Sequence, residues 1–320
     1  MANGKPVVVV TRQLPRDVET RMMELFEARL NATDAPMSSG DMVAACDGAE
    51  VLVPTVTDRI DADLIQKLPD SIELIANFGV GYNHIDVDAA RAHSVTVTNT
   101  PGAVTDATAD IAMTLILMSA RRAGEGERLV RSGAWEGWHP TQMLGLHVSG
   151  KTVGIVGMGR IGQAIARRCH FGFGMEVLYF NRSEKTVDFP AEQVADLTDM
   201  ASRCDIVVAA TPGGAETRHL IGADVFAAMK QTAHVINISR GDVVDEAALI
   251  AALQAGEIAG AGLDVYEFEP QVPDALRALE NVVLLPHLGT AAEEVRTDMG
   301  MMVLDNLVAF FEGREPPNKL

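Results

Sequence analysis

The sequence predicts an α/β protein of two lobes, each built on a parallel sheet with helices on its faces. Three observations carry this reading. The chain has 320 residues, more than one typical domain and enough for two lobes to bury separate cores. Short β-branched runs alternate with amphipathic segments of helical spacing, the rhythm of βα units and hence of parallel strands. That rhythm breaks near residue 101 and restarts near residue 152.

The first strands are PVVVVTR (6–12), AEVLVPT (49–55), IELIANF (72–78) and VTVTNTP (95–101), each rich in β-branched residues and bounded by turn formers. Between them, DVETRMMELFEA (17–28) and DADLIQKL (61–68) carry apolar residues at helical spacing. Pro101 and Gly102 then lead into a long helix over about 103–122, followed by a loop with two tryptophans, RSGAWEGWHP. Six more strands follow: TVGIVG, MEVLYFN, IVVAAT, HVINIS, GAGLDV and NVVLLP. The last segment, 291–313, reads as one amphipathic helix whose Met299, Met301, Met302 and Leu304 are core residues, not a cofactor box.

Composition limits the function classes. An apolar fraction of 48% is that of a globular chain. A formal charge of −18 disfavours nucleic acid and anionic membranes as partners and serves solubility. The most apolar helical stretch, IAMTLILMSA (111–120), is flanked by Asp110, Arg121 and Arg122 and is far short of the roughly 20 residues that span a bilayer. Cys46, Cys169 and Cys204 are widely spaced, with no CxxC pair and no metal-ligand spacing. They predict buried, reduced thiols in a cytoplasmic protein that holds no metal. MANGKPVVVV enters a strand within a few residues and lacks signal-peptide anatomy.

GMGRIG supplies the first site. Gly157, Gly159 and Gly162 follow the strand TVGIV and open the helix IGQAIARR, and a second strand comes next. In that context the glycines form a Rossmann dinucleotide-binding fingerprint. Gly157 permits the tight turn, Gly159 lets the backbone approach a pyrophosphate, and Gly162 allows close helix packing. The helix start, with Met158, Arg160 and Ile161, offers N–H groups and a positive dipole end to the phosphates. The second strand of such a unit ends in Asp or Glu when the ribose carries a free 2′-hydroxyl. Here it ends in Asn181, Arg182 and Ser183. No carboxylate repels a 2′-phosphate, and Arg182 can pair with one, helped by Ser183 and Lys185. This strand end suits NADP(H) better than NAD(H); with Arg182 as a solvated surface residue, either cofactor would serve. The connection HFGFGM is one residue longer than usual, so Asn181 is placed by strand alignment and not by count.

Arg240, Asp264 and His287 each stand at or just past a buried strand, where open α/β sheets bind ligands, and Glu269 follows Asp264 by five residues. An arginine, a carboxylate and a histidine facing a nicotinamide suit carbonyl reduction. With FGVGYNHID, NTPG, GMGRIGQAIARR, INISRGDVVDEAAL, AGLDVYEFEP and LPHLGTAA in this order, the chain resembles the D-isomer-specific 2-hydroxyacid dehydrogenases, in their glyoxylate/hydroxypyruvate reductase branch.

The resemblance covers the whole chain and implies two Rossmann-like, doubly wound parallel-sheet domains. The substrate-binding (catalytic) domain is split, 1–100 plus 291–320, and 101–290 is the dinucleotide-binding domain. It implies that Arg240 binds the substrate carboxylate and polarises the keto oxygen. His287 would be the general acid in reduction, with Glu269 supporting its positive charge. The backbone N–H groups of Val80 and Gly81 would grip the substrate carboxylate. Asp264 would contact the nicotinamide carboxamide, with Thr108, Thr211, Pro212, Thr217, Ile238 and Gly289 along the cofactor cleft. Glu267 and Asp264 compete with Glu269 as the partner of His287, and motif position favours Glu269. Trp138 is either core or, as in the reductase branch, a residue reaching into the neighbouring subunit's site in a homodimer. His84, His139, His147 and His219 receive no role. TPGG, after IVVAA, departs from the more apolar pair common in the family, and regulation by serine through a C-terminal extension like that of the longer phosphoglycerate dehydrogenases is not expected.

The implied activity is NADPH-dependent reduction of a small 2-ketoacid, glyoxylate or hydroxypyruvate, to the D-2-hydroxyacid. A dehydrogenase of larger 2-ketoacids is the alternative. Formate or phosphite oxidation fits less well. A dinucleotide-sensing interaction protein on the same scaffold would not need Arg240, Glu269 and His287 together.

Overall fold

The computed structural model describes residues 4–320; Met1–Asn3, the start of the stretch read as lacking a leader, lie outside the described residues. The chain divides into two compact units, Met1–Val104 with Ala291–Leu320, and Thr105–Thr290.

The first unit holds five strands, β1 (Val7–Val10), β2 (Glu27–Arg29), β3 (Val51–Val53), β4 (Leu74–Ala76) and β5 (Thr96–Thr98), all parallel in the order β2-β1-β3-β4-β5. Helices α1 (Arg16–Leu25), α2 (Ser39–Ala45), α3 (Ala62–Ile65) and α4 (Val87–Ala92) connect them. Val9, Leu52, Ile75 and Val97 belong to one apolar cluster, whereas Val8, Val10, Val51, Val53 and Leu74 belong to another. Successive side chains of a strand point to opposite faces, so both faces of this sheet are covered. The C-terminal helix Glu293–Phe311 covers one of them through Val303, Leu304 and Leu307. Gly300 allows it to cross α1 closely, since a Cβ there would stand 2.4 Å from Val18 Cγ2. Met299 and Leu304 are buried and Met301 packs on the same cluster, whereas Met302 is half-buried.

The second unit holds seven parallel strands, β6 (Thr152–Val156), β7 (Glu176–Phe180), β8 (Glu192–Gln193), β9 (Ile206–Ala209), β10 (His234–Asn237), β11 (Gly260–Leu263) and β12 (Val282–Leu284). Their order is β12-β11-β10-β9-β6-β7-β8. Helices α5 (Thr105–Ala120), α6 (Ala123–Arg131), α7 (Arg160–Phe173), α8 (Leu197–Arg203), α9 (Ala223–Ala228), α10 (Glu246–Ala255) and α11 (Asp274–Arg277) accompany them. Ile155, Val208 and Ile236 pack with Leu115 and Ile165, while Val156, Val207 and Val235 pack with Phe226 and Leu249. Strand order reverses at β6, which has β7 on one side and β9 on the other. That switch point is where a doubly wound sheet opens a crevice for a ligand.

Some elements depart from what the sequence predicts. The helix expected over 17–28 ends at Leu25, and Glu27–Arg29 form the edge strand β2. The helix expected over 103–122 spans Thr105–Ala120; a further helix, α6, follows it, and the two-tryptophan loop comes after α6. The edge strand β8 has no counterpart among the predicted strands. Cys46, Cys169 and Cys204 are free and buried. Burial pushes their thiols up to about 11, 12 and 12, which keeps them protonated and unreactive. Among the described residues, no helix is long and apolar enough to cross a membrane, and no cluster of three or more His, Cys, Asp or Glu could hold a metal ion.

Candidate active site

The carboxyl ends of β6, β7, β9, β10, β11 and β12 lie on one edge of a single sheet, and the predicted residues of this unit stand just beyond them. The three fingerprint glycines stand in different surroundings. Gly157 has φ +100°, and a Cβ there would lie 2.8 Å from Ala210 O and from Thr211 N. The β6 turn is thus pressed against the end of β9, across the switch point. A Cβ on Gly162 would stand 2.1 Å from Gly157 O, so α7 can start this close to the turn only with glycine. A Cβ on Gly159 would meet nothing within 4 Å. Nothing in the protein excludes a side chain there, so Gly159 leaves an open cradle at the start of α7. No side chain caps that helix, which leaves its positive end available to an anion. Thr211 packs its methyl group toward the same turn, and its hydroxyl is buried with no hydrogen-bond partner among the described residues. An open cradle, an uncapped helix start and an orphaned hydroxyl fit a dinucleotide. Met158, Arg160 and Ile161 complete the loop.

Asn181 follows β7 directly, and its Oδ1 accepts the Met158 N–H at 3.1 Å, so the amide is tied to the glycine turn. Its Nδ2 donates to Ser183 O at 2.7 Å. Most of the HFGFGM connection lies in α7, which runs to Phe173 and ends on Gly174 at φ +60°. Arg182 is 90% exposed and pairs with the equally open Glu216 at 3.1 Å. The loop after β9 closes on itself, with the Thr217 hydroxyl donating to Pro212 O at 2.7 Å. Ile238 is buried at the end of β10.

The reaction residues gather at β10, β11 and β12. Glu269 Oε2 lies 2.9 Å from His287 Nδ1, and Glu269 Oε1 accepts the Tyr266 N–H at 3.0 Å. This settles the geometric choice between carboxylates. Asp264 Oδ1 accepts the Leu288 N–H at 2.6 Å and its Oδ2 accepts the Gly289 N–H at 2.8 Å. Its backbone oxygen takes the His287 N–H at 2.9 Å. Asp264 therefore fastens the loop that carries His287, whose backbone sits in the left-handed region at φ +55°. A non-glycine residue there costs of order 1–3 kcal/mol and persists only when its surroundings hold it. The Thr108 hydroxyl donates to Gly289 O at 3.2 Å, adding a fourth hydrogen bond.

Burial alone would raise the Glu269 carboxyl. The hydrogen bond and charge of His287, the Tyr266 N–H and the charge of Arg240 outweigh it and hold the group below the usual carboxylate value. Burial lowers the Arg240 guanidinium from its usual value, with Glu269 and Asp242 partly offsetting it; an arginine remains a cation all the same. Asn237 shapes the turn beneath Arg240, donating to Arg240 O at 2.9 Å and accepting the Ser239 N–H at 3.0 Å. The site thus presents a cation, an imidazole and, behind it, a partly exposed carboxylate, the set needed to orient a carboxylate and give a proton to a carbonyl oxygen.

Residues 113–289 match the profile of the D-isomer specific 2-hydroxyacid dehydrogenase NAD binding domain. The chain is 45% identical over 319 residues to a glyoxylate reductase of Korarchaeum cryptofilum, covering 98% of this chain and 95% of the relative. The chain belongs to the D-isomer specific 2-hydroxyacid dehydrogenase family. A glyoxylate reductase of Thermococcus litoralis is 43% identical, again over 98% of this chain and 96% of the relative. The solved structure of an NADPH-dependent glyoxylate/hydroxypyruvate reductase from Sinorhizobium meliloti, with NADP and malonate, matches at TM-score 0.89 and 37% identity, covering 99% and 97% of the two chains. The protein is accordingly a 2-hydroxyacid dehydrogenase that uses a nicotinamide dinucleotide.

In this dehydrogenase Val80 and Gly81 belong to the first unit. There Asn77 Nδ2 donates to Gly79 O at 2.9 Å and to Gly81 O at 3.0 Å, and Asn99 Nδ2 donates to Val80 O at 2.8 Å. All three carbonyls are held inward by amides to which the sequence alone gave no role. Asn77, Asn99 and Asn237 share a legible sign: each is an amide at or just past the end of a buried strand. Trp138 is not core. It is 78% exposed in the loop after α6, near the exposed Trp135 and Leu144 in sequence.

Proposed function

We propose that this enzyme reduces glyoxylate and hydroxypyruvate to the corresponding D-2-hydroxyacids, with NADPH as the preferred donor. The observation that carries the chemistry is the His287–Glu269 pair at 2.9 Å, with Arg240 close enough for its charge to stabilise Glu269. Glu269 engages Nδ1 of His287, so Nε2 is left to give a proton to the oxygen of the substrate carbonyl. Arg240 binds the substrate carboxylate and draws negative charge onto that oxygen. Bound along Gly157, Gly159, Gly162 and Thr211, a reduced nicotinamide dinucleotide supplies the hydride.

The substrate class rests on the glyoxylate reductases among the relatives. The cofactor preference rests on Asn181, which brings no carboxylate to the end of β7, and on Arg182, whose Glu216 partner is solvent-exposed and easily exchanged for a phosphate. A homodimer is proposed from the exposed Val130, Trp135, Trp138 and Leu144, which lie on α6 and the loop after it. A cytoplasmic location is proposed from the three buried free thiols. The test is a steady-state panel of glyoxylate, hydroxypyruvate, pyruvate and phenylpyruvate with NADPH and NADH. The expected result is highest kcat/KM for the two small ketoacids with NADPH; a preference for phenylpyruvate or for NADH contradicts the proposal.

A further inference from the structure

Between β9 and α9 the chain passes through His219, whose role is not legible in the sequence. Its imidazole has a carboxylate on each side, one of them within hydrogen-bond distance. Nε2 lies 3.0 Å from Glu267 Oε1, and Nδ1 faces Asp245 Oδ2 at 3.7 Å. Its backbone N–H donates to Asp242 O at 2.7 Å, with the backbone in the left-handed region at φ +52°. Glu267 is almost enclosed, with 9% of its side chain exposed. The same Oε1 also takes Arg218 Nη2 at 3.0 Å. The buried Glu246 carboxyl takes the Glu267 backbone N–H. A carboxylate this enclosed needs its hydrogen-bonding partners, because losing one leaves a buried charge uncompensated.

Glu267 stands two residues before Glu269, in the loop whose Tyr266 N–H holds Glu269 Oε1. That loop is also wedged against the turn that carries Arg240: a Cβ on Gly241 would lie 1.8 Å from Tyr266 C and 2.3 Å from Glu267 N. On the other side, a Cβ on Gly213 would lie 2.7 Å from Arg240 Cγ, so the loop after β9 touches the same arginine. A continuous path of contacts therefore runs from the loop after β9, through His219 and Glu267, to Glu269 and His287.

We propose that His219 is a positioning residue, which through Glu267 fixes the loop that presents Glu269 to His287. The proposal rests on the assignment of Glu269 and His287 to proton transfer. The TPGG loop thereby gains a second role, since the segment that borders the cofactor cleft also locks the acid–base pair from behind.

The experiment compares His219→Leu, His219→Gln, Glu267→Gln and His287→Gln by kcat, KM, NADPH dissociation constant and solvent deuterium isotope effect. Misplacing a catalytic group by about 1 Å costs up to roughly 10²-fold. His219→Leu is expected to lower kcat by about 10- to 100-fold, to raise the solvent isotope effect and to leave NADPH binding within about twofold of wild type. His219→Gln keeps a donor for Glu267 and is expected to recover most of the loss. If His219→Leu does not fold, Glu267→Gln carries the same expectation. Wild-type kcat in His219→Leu, or a loss that Gln does not recover and that falls equally on NADPH binding, overturns the inference. His287→Gln separates the two levels: if it retains turnover the assignment of the proton donor fails, whatever His219 does.

Discussion

Two ends of the same sheet edge are built in opposite ways. At β11 and β12 the groups that would move a proton are interlocked. Asp264 holds two backbone N–H groups of the His287 loop, and Glu269 is shared between Tyr266 and His287. At β7 the groups that would read the ribose stand in solvent: Arg182 is 90% exposed and meets only Glu216 among the hydrogen-bonding and ion-pair partners described for its side chain. Asn181 is the link between the styles, anchored to Met158 yet half-exposed. The contrast marks where a change is tolerated. A substitution at the proton-transfer end disturbs several buried partners at once, whereas one at the ribose end disturbs a solvated pair. Cofactor choice is therefore separable from the chemistry, and substitutions at either end test that separation.

The largest effect belongs to the interlocked end. His287→Gln is expected to lower kcat by roughly 10²- to 10⁴-fold, the usual worth of a positioned general acid, while NADPH binding by fluorescence titration stays unchanged. A dissociation constant that rises in step with the loss of kcat would mean that the two ends are one unit.

The next effect belongs to the solvated end. Losing one charge-assisted partner costs about 1.5–3 kcal/mol, or roughly 10- to 100-fold in kcat/KM. Arg182→Ala should lose that much with NADPH and almost nothing with NADH. Asn181→Asp should act in opposite senses on the two cofactors, repelling the 2′-phosphate and offering the ribose hydroxyls an acceptor.

The last effect is on stability, and it comes from the amino end of the same sheet. His234, first residue of β10, is buried with its Nδ1 2.8 Å from the Ser119 hydroxyl, and burial pulls its imidazole down to about 4 from 6.5. The unfolded chain takes up this proton below pH 6.5, whereas the folded chain resists until about pH 4. Stability from this group is therefore complete above pH 6.5 and is lost as pH falls toward 4, by roughly 3 kcal/mol in all. Urea midpoints at pH 7 and pH 4.5 should differ less in His234→Gln than in wild type. An equal difference in both proteins would place the acid sensitivity elsewhere.

What the sequence reveals follows from where apolar residues are needed. Central strands buried on both faces are continuous Val, Ile and Leu runs, and they stand out. The edge strand Glu27–Arg29 has two exposed residues of its three, and the edge strand Glu192–Gln193 is wholly exposed. Neither carries an apolar signature to read. Helix α6 buries no residue, and α2 and α4 bury one each, so no apolar stripe distinguishes them. In the site, the glycine turn and the strand-end Arg240, Asp264 and His287 are legible because their spacing is local. The pairing of His219 with Glu267 joins residues 48 positions apart, and the amides of Asn77 and Asn99 act on a loop whose turn only the backbone reveals. Nor could the sequence show that Arg182 meets Glu216, because that contact depends on how the loop after β9 folds back.

The most direct test of separability is a single set of initial-rate measurements with NADPH and with NADH on wild type, Arg182→Ala and His287→Gln. The account predicts that His287→Gln slows both cofactors by the same factor and leaves their ratio unchanged, whereas Arg182→Ala lowers kcat/KM with NADPH alone. A loss in Arg182→Ala that is equal for both cofactors, or a His287→Gln loss that depends on the cofactor, would contradict it.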